Sequence, residues 1–223
     1  MVKIPVVENI LSANERIAAE NERTLDDSGV LAVNIMSSPG AGKTSLIGST
    51  IMALTNHTRV GVIEGDVASR IDADYIESLG VPVVQINTGS ACHLDANMVQ
   101  LALAQLPLHD LDLLFIENVG NLICPTAFAL GERLKVMISS VPEGDDKPYK
   151  YPAMFAAVDG VVVNKIDLLP HLEFGMEGFR NLIEGLNPGV QFFQISCKNG
   201  EGIQGWLDWL LSKLTMEPLR TTV

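Results

Sequence analysis

Cysteine is scarce in this chain: three among 223 residues, while aromatic residues make up 5 %. Three cysteines cannot all pair within one chain, which excludes a disulfide framework and leads us to expect a reducing, intracellular setting. Basic residues are also few. Fifteen Lys and Arg stand against 27 Asp and Glu, for a net charge of −12. That balance argues against a broad nucleic-acid-binding face, which needs a basic patch. It leaves a nucleotide open, because a phosphate loop supplies local positive potential whatever the total charge. Long apolar runs are missing: no stretch approaches the ~18 consecutive apolar residues of a membrane span. Asn9, Asn14, Glu15 and Arg16 interrupt the N-terminal region, so no signal peptide is expected and the protein reads as cytoplasmic and soluble. Internal repeats and low-complexity segments are absent. What remains is an ordinary globular balance, 47 % hydrophobic and 19 % charged, in a chain long enough for one substantial core.

The chain is organised around Ser37-Ser38-Pro39-Gly40-Ala41-Gly42-Lys43-Thr44. An apolar run, Leu31–Met36, precedes it, and a helix-compatible run, Ser45–Leu54, follows. Strand, glycine-rich turn, Gly-Lys-Thr and helix form the context of a phosphate loop. The glycines allow a tight turn whose N–H groups face an anion, and the helix brings its positive end to the same place. Pro39, Gly40, Ala41, Gly42, Lys43, Thr44 and Ser45 are therefore candidate phosphate-binding residues. Lys43 reaches the β- and γ-phosphates in this reading, and Thr44 offers a hydroxyl to Mg²⁺. Ser37 stands where the usual pattern opens with Gly, which the turn tolerates if its φ is negative.

Residues 1–27 read as a helical lead-in with Val6, Val7, Ile10, Leu11 and Ile17 on one face, and Asp26–Gly29 as a turn into the nucleotide-binding domain, residues 28–223. Strands are expected at Arg59–Glu64, Val81–Ile86 (at an edge or a strand start, given Pro82), Leu111–Ile116, Lys135–Val141, Val158–Val163 and Gln191–Ile195. Helices are expected at Ile71–Leu79, up to Leu103 and over Gly205–Leu214. Pro142–Pro152 has loop composition. Alternating strands and helices imply an α/β fold with a mostly parallel sheet covered on both faces.

Two later segments bear on the base. Asn164-Lys165-Ile166-Asp167 resembles the Asn-Lys-x-Asp element of GTPases, whose Asp accepts from the guanine N1–H and 2-amino group while Lys packs on the ring. Adenine lacks that donor pair, so a buried Asp would be left unsatisfied against it. Ser196-Cys197-Lys198 looks like the accessory loop that contacts the guanine oxygen. Glu117-Asn118-Val119-Gly120 occupies the place of the GTPase Asp-x-x-Gly element. Gly120 N–H is expected at the γ-phosphate and Glu117 near Mg²⁺, with Asp66 facing the metal or placing the attacking water. The plainer readings are a helix cap at Asp167 and solvated carboxylates at the strand ends.

Cys92 and His93 are adjacent, and Cys124 follows Gly120 by four positions. These are borderline-soft ligands suited to Zn²⁺ or Ni²⁺, and three of them leave a coordination position open. Cys197 is assigned to the base loop and not to the metal. Taken with Glu-Gly-Asp at 64–66, Ala-Cys-His-Leu-Asp-Ala at 91–96, the run from Ile116 to Pro125 and the loop from Glu143 to Pro152, these motifs resemble the HypB family of hydrogenase maturation GTPases. The resemblance covers about residues 10 to 215. It implies a P-loop NTPase of the SIMIBI type that hydrolyses GTP to GDP, a GTP-dependent homodimer and a Zn²⁺ or Ni²⁺ site at Cys92, His93 and Cys124. It further implies work with a HypA-like nickel metallochaperone on the large subunit of [NiFe] hydrogenase. The catalytic set it suggests is Lys43, Asp66 and Glu117, with Thr44, Asp66 and Glu117 on Mg²⁺. The N-terminal cysteine motif and His-rich storage stretch of some HypB proteins are not found here, and neither is the Cys-Pro-His motif of the related urease GTPase UreG. Lys147 and Lys150 have two readings, a phosphate across a dimer or solvent. A metal-binding scaffold that GTP only stabilises is the non-enzymatic alternative.

Overall fold

Leu31–Ser37 (β1) is buried along its whole length, as an apolar run covered on both faces should be. Its side chains alternate. Leu31, Val33 and Ile35 join one core, and Ala32 and Met36 join others on the opposite face. The remaining strands are β2 (Val60–Asp66), β3 (Val83–Asn87), β4 (Leu113–Glu117), β5 (Leu134–Ser140), β6 (Gly160–Asn164) and β7 (Gln191–Gln194). All pair in parallel, in the order β3-β2-β4-β1-β5-β6-β7. The computed structural model describes residues 6–55 and 57–215.

The helices are α1 (Val6–Ser28), α2 (Lys43–Leu54), α3 (Ile71–Ser78), α4 (Ala96–Leu103), α5 (Lys147–Lys150), α6 (Pro152–Ala156), α7 (Met176–Leu186) and α8 (Ile203–Thr215). On one face, Leu46, Ile47 and Ile51 of α2 and Trp206, Leu207 and Leu210 of α8 pack on β1, β4 and β5. The Trp206 indole N–H donates to the buried Thr50 hydroxyl at 2.8 Å and locks these helices together. On the other face, α1 and α4 share a core with β2 and β4 around Leu25, Val99 and Ile116. Beside it, α6 and α7 pack on β5 and β6 around Phe155, Phe179 and Ile183. Parallel pairing brings the carboxyl ends of β1, β2, β4 and β6 to one edge, where open α/β sheets hold their ligands.

Three expectations need correcting. Helix α1 does not pack through the apolar stripe read from its sequence. Ile10 is 53 % exposed, Leu11 and Ile17 are half-buried, and the side chains of Val6 and Val7 lie outside the described residues. The buried stripe is Asn14, Ala18, Asn21 and Leu25, because the asparagine amides complete backbone hydrogen bonds of the body and so can be buried. The helix also runs through Ser28, and the turn is confined to Gly29 at φ 64°. The segment after β5 is not a plain loop: a 3₁₀ turn at Val141–Glu143 leads to α5 and α6.

Candidate nucleotide and metal sites

The turn after β1 has the shape its sequence implies. Gly40 and Gly42 have φ of 77° and 107°. Ser37 is buried, and its φ is not positive, so it takes the opening position without strain. Its hydroxyl donates to the Ser38 carbonyl at 2.6 Å. No side chain caps α2, leaving its first N–H groups to an anion. A Cβ on Gly40 would meet nothing within 4 Å, whereas one on Gly42 would lie 2.3 Å from the Asn164 amide. The loop is open on one side and shut against β6 on the other. Glu143 braces it from below, accepting from Ser38 Oγ and from Ser140 Oγ, the latter at 2.7 Å.

Asn164 joins the phosphate loop to the candidate base loop. Its Nδ2 donates to the Ala41 carbonyl at 3.1 Å, and its Oδ1 accepts from the N–H groups of Lys165 and Cys197 at 2.7 and 3.2 Å. Lys165, with φ 63°, donates from Nζ to the Gly40 carbonyl at 2.6 Å. Asp167 Oδ1 accepts from Ser196 Oγ at 2.6 Å, and Lys198 Nζ stands 3.8 Å from its Oδ2. Ser45, Asn164, Lys165, Asp167, Cys197 and Lys198 line a cleft of about 300 Å³. Burial pushes the Cys197 thiol up to about 11, which keeps it a neutral lining residue.

Carboxylates close the inner end. Glu117 Oε1 accepts from Thr44 Oγ1 at 2.8 Å and lies 3.9 Å from Lys43 Nζ, while its buried Oε2 has no protein partner. Glu64 is its register neighbour on β2, and the buried Glu64 Oε2 is likewise unpartnered. Desolvation holds both carboxyls up, Glu64 to about 8 and Glu117 to about 7, with mutual repulsion adding to Glu64. Asp66 shifts down instead, chiefly because the Ala68 N–H donates to it, at 2.9 Å. Ligand oxygens of Glu64, Asp66 and Asp72 lie within 4.8 Å of one another. Unpartnered buried oxygens beside a threonine hydroxyl are a donor set for a hard divalent cation such as Mg²⁺. Sequence reasoning gave no role to Glu64 or Asp72. The Glu-Gly-Asp spacing was the available signal, since alternate strand residues share a face.

Cys92, His93 and Cys124 also converge, with ligand atoms within 4.8 Å of one another. The two sulfurs are 3.3 Å apart, and Cys92 Sγ is 3.7 Å from His93 Nδ1. The contact with Cys124 raises the Cys92 thiol pKa, and burial lowers that of His93. The imidazole stays neutral, as a metal ligand must be. Its ring lies 4.1 Å from that of Phe128.

The two sites share a loop. Asn118 Oδ1 accepts from the Leu94 N–H at 3.1 Å, next to His93. Asn121 donates its backbone N–H to the Ser37 carbonyl at 2.8 Å and its Nδ2 to the Cys92 carbonyl at 3.1 Å. Gly120 sits so close to the phosphate loop that a Cβ would be 2.9 Å from Pro39 Cα. The roles of Asn118, Asn121, Phe128 and Glu143 were not read from the sequence. Lys150 pairs with Asp146 within its own segment.

Residues 31–194 match the family described as CobW/HypB/UreG, nucleotide-binding domain. The hydrogenase maturation factor HypB of Azotobacter chroococcum mcd 1 is 49 % identical over 207 residues, covering 93 % of this chain and 68 % of its own. The crystal structure of the hydrogenase maturation factor HypB from Archaeoglobus fulgidus is 40 % identical, with a TM-score of 0.86 over 91 % of this chain and 99 % of that one. That of HypB from Helicobacter pylori in complex with nickel is 35 % identical, with a TM-score of 0.87 over 95 % and 99 %. With its phosphate loop, its seven-stranded parallel sheet and these likenesses along nearly its full length, the chain belongs to the HypB family of hydrogenase maturation factors.

Proposed function

We propose that this protein binds and hydrolyses GTP, and that its nucleotide state governs the holding and release of nickel during [NiFe] hydrogenase maturation. The observation that carries this reading is Asn121, which bonds the phosphate loop through its backbone and the Cys92 carbonyl through its side chain. A shift of the Gly120–Asn121 segment on loss of the γ-phosphate therefore moves a metal-ligand arm. Nickel in the Helicobacter pylori relative supports the choice of cargo. Zn²⁺ shares the same ligands.

Lys43 and the loop N–H groups balance the charge of the transferring phosphoryl. Mg²⁺, held by Thr44, Glu117 and Asp66, would add charge neutralisation. Asp66 orients the attacking water. Asp167 selects guanine: Asp167→Asn loses a charged acceptor worth about 1.5–3 kcal/mol, so GTP affinity falls roughly tenfold to a hundredfold while ATP binding does not fall with it. Competition between the two nucleotides checks this, and an unchanged GTP preference removes Asp167 from the role.

Three ligands per chain leave the metal shell incomplete, which suits a GTP-dependent homodimer that shares or closes the site, and transfer between a HypA-like metallochaperone and the hydrogenase large subunit. The decisive experiment is a nickel titration with GDP and with a non-hydrolysable GTP analogue, following mass and stoichiometry together. Affinity is expected to differ at least several-fold between the two nucleotides, and binding theirs to metal must be reciprocal. Equal affinity in both states, in monomer and dimer alike, removes the coupling. Absence of GTP turnover in the dimer leaves a nucleotide-stabilised scaffold.

A further inference from the structure

The polar stripe of α1 bonds to the chain segments that carry Cys92, His93 and Cys124. Asn14 is 7 % exposed and Asn21 is 1 % exposed. Asn14 Oδ1 accepts from the Ala96 N–H at 2.8 Å, and its Nδ2 donates to the Ala129 carbonyl, also at 2.8 Å. Asn21 Nδ2 repeats the bridge seven residues on, about two turns along the helix, donating to the carbonyls of Ala96 and Leu130 at 2.8 and 2.9 Å. Ala96 opens α4, three residues beyond His93, and Ala129 and Leu130 follow Cys124 by five and six residues. The helix thus bonds twice to each of the two chain segments that carry the metal ligands. Gly131 lets it come that close: a Cβ there would stand 2.5 Å from Asn21 Cβ and 2.8 Å from the Ala18 carbonyl.

Two buried amides make these four hydrogen bonds. An apolar stripe would take these partners from the Ala96 N–H and from the carbonyls of Ala96, Ala129 and Leu130. The asparagines instead set the distance between the Cys92-His93 arm and the Cys124 arm, in a region where Phe128 already rests on His93.

We infer that Asn14 and Asn21 are positioning residues of the metal site, and that α1 acts as a clasp whose seating holds Cys92 and His93 in register with Cys124. The clasp rests on the reading of those three residues as a metal site. It adds a second control, because α1 reaches the ligand arms at Ala96, Ala129 and Leu130, whereas the phosphate loop reaches them through Asn121. Asn14 and Asn21 make none of their hydrogen bonds to the phosphate or base loops, so displacing α1 acts first on the metal arms.

The test uses the full chain and nickel alone as probe, read by the thiolate-to-nickel charge-transfer absorption. Asn14→Leu keeps the branching at Cγ, on a somewhat larger side chain, and removes both bonds. Asn14→Asp keeps the acceptor for the Ala96 N–H and sets a carboxylate against the Ala129 carbonyl. Asn14→Leu is expected to weaken nickel about tenfold or more, within the range of lost supporting groups at metal sites, and to alter the charge-transfer band. Asn14→Asp should show a smaller loss in the same direction. Affinity for guanine nucleotide should change less than about twofold in both, which a general loss of structure would not spare. Cys92→Ala is the control. If it binds nickel as the unaltered protein does, the metal site itself is misread. If it abolishes the band while both Asn14 variants bind nickel with unchanged affinity and spectrum, the clasp is wrong and the site stands. Should Asn14→Leu not fold, Asn14→Asp decides alone, on the same two readouts.

Discussion

Gly42→Ala lowers affinity for guanine nucleotide by roughly a hundredfold or more. Two costs combine. At φ 107° an L-residue is strained whatever the space around it, and the new methyl would stand 2.3 Å from Asn164 Nδ2. Asn164 is buried and cannot swing into solvent. Moving it releases the Ala41 carbonyl and the Cys197 N–H together, so the phosphate loop and the base loop lose their common brace. The defect is local, and circular dichroism should show an intact sheet while titration with a fluorescent guanine nucleotide shows the loss. Binding within about threefold of the unaltered protein would sink the account, since that is well under the strain expected for one such residue.

The second large effect is on stability. Glu64 and Glu117 titrate near 8 and 7 when folded, against 4.5 for an ordinary glutamate. Between those values the folded state holds protons that the unfolded chain has given up. Their contribution is complete below about pH 4.5 and is lost as pH rises through 7 and 8. Nucleotide-free, metal-free protein should therefore weaken by an amount on the order of a few kcal/mol from mildly acidic to mildly alkaline pH. Glu64→Gln keeps the shape and removes one ionisation, so its stability should fall less over the same range. Urea unfolding across the pH series reads this directly. A wild-type stability that is flat or rises with pH overturns the prediction, and so does an unchanged slope in the variant.

The strands were legible because parallel strands covered on both faces need continuous apolar runs, and Leu31–Met36, Leu111–Ile116 and Val158–Val163 supply them. Sequence also marked the turns proposed to carry ligands, since glycines, Lys43, Asp167 and the Cys-His pair stand at spacings that suit such chemistry. Helix α1 was misread at its contact face because hydrophobic periodicity does not register an amide that is buried to satisfy backbone groups. Helix α7 was passed over although Met176, Phe179, Ile183 and Leu186 recur at helical spacing and pack on one core. The support of the proposed metal arms was hidden for a related reason. Asn121 and Asn14 act on carbonyls and N–H groups, which every residue has, so nothing in the partner positions announces them. Glu64 escaped because its significance lies across the sheet, in its register with Glu117.

The strand order also governs how the site comes into being during synthesis. β1 carries the phosphate loop but is flanked by β4 and β5, and both are translated long after it. Asn164, which shuts the loop through the Ala41 carbonyl, lies 123 positions further along. At ribosomal speeds that is a wait of roughly ten seconds during which the loop has no lid, and for its earlier part, until β4 is made, the apolar strand has no neighbour in the sheet. The nascent chain therefore passes through a stage in which its most recognisable motif is present in sequence but unable to close on a nucleotide, and the apolar strand is open to chaperones.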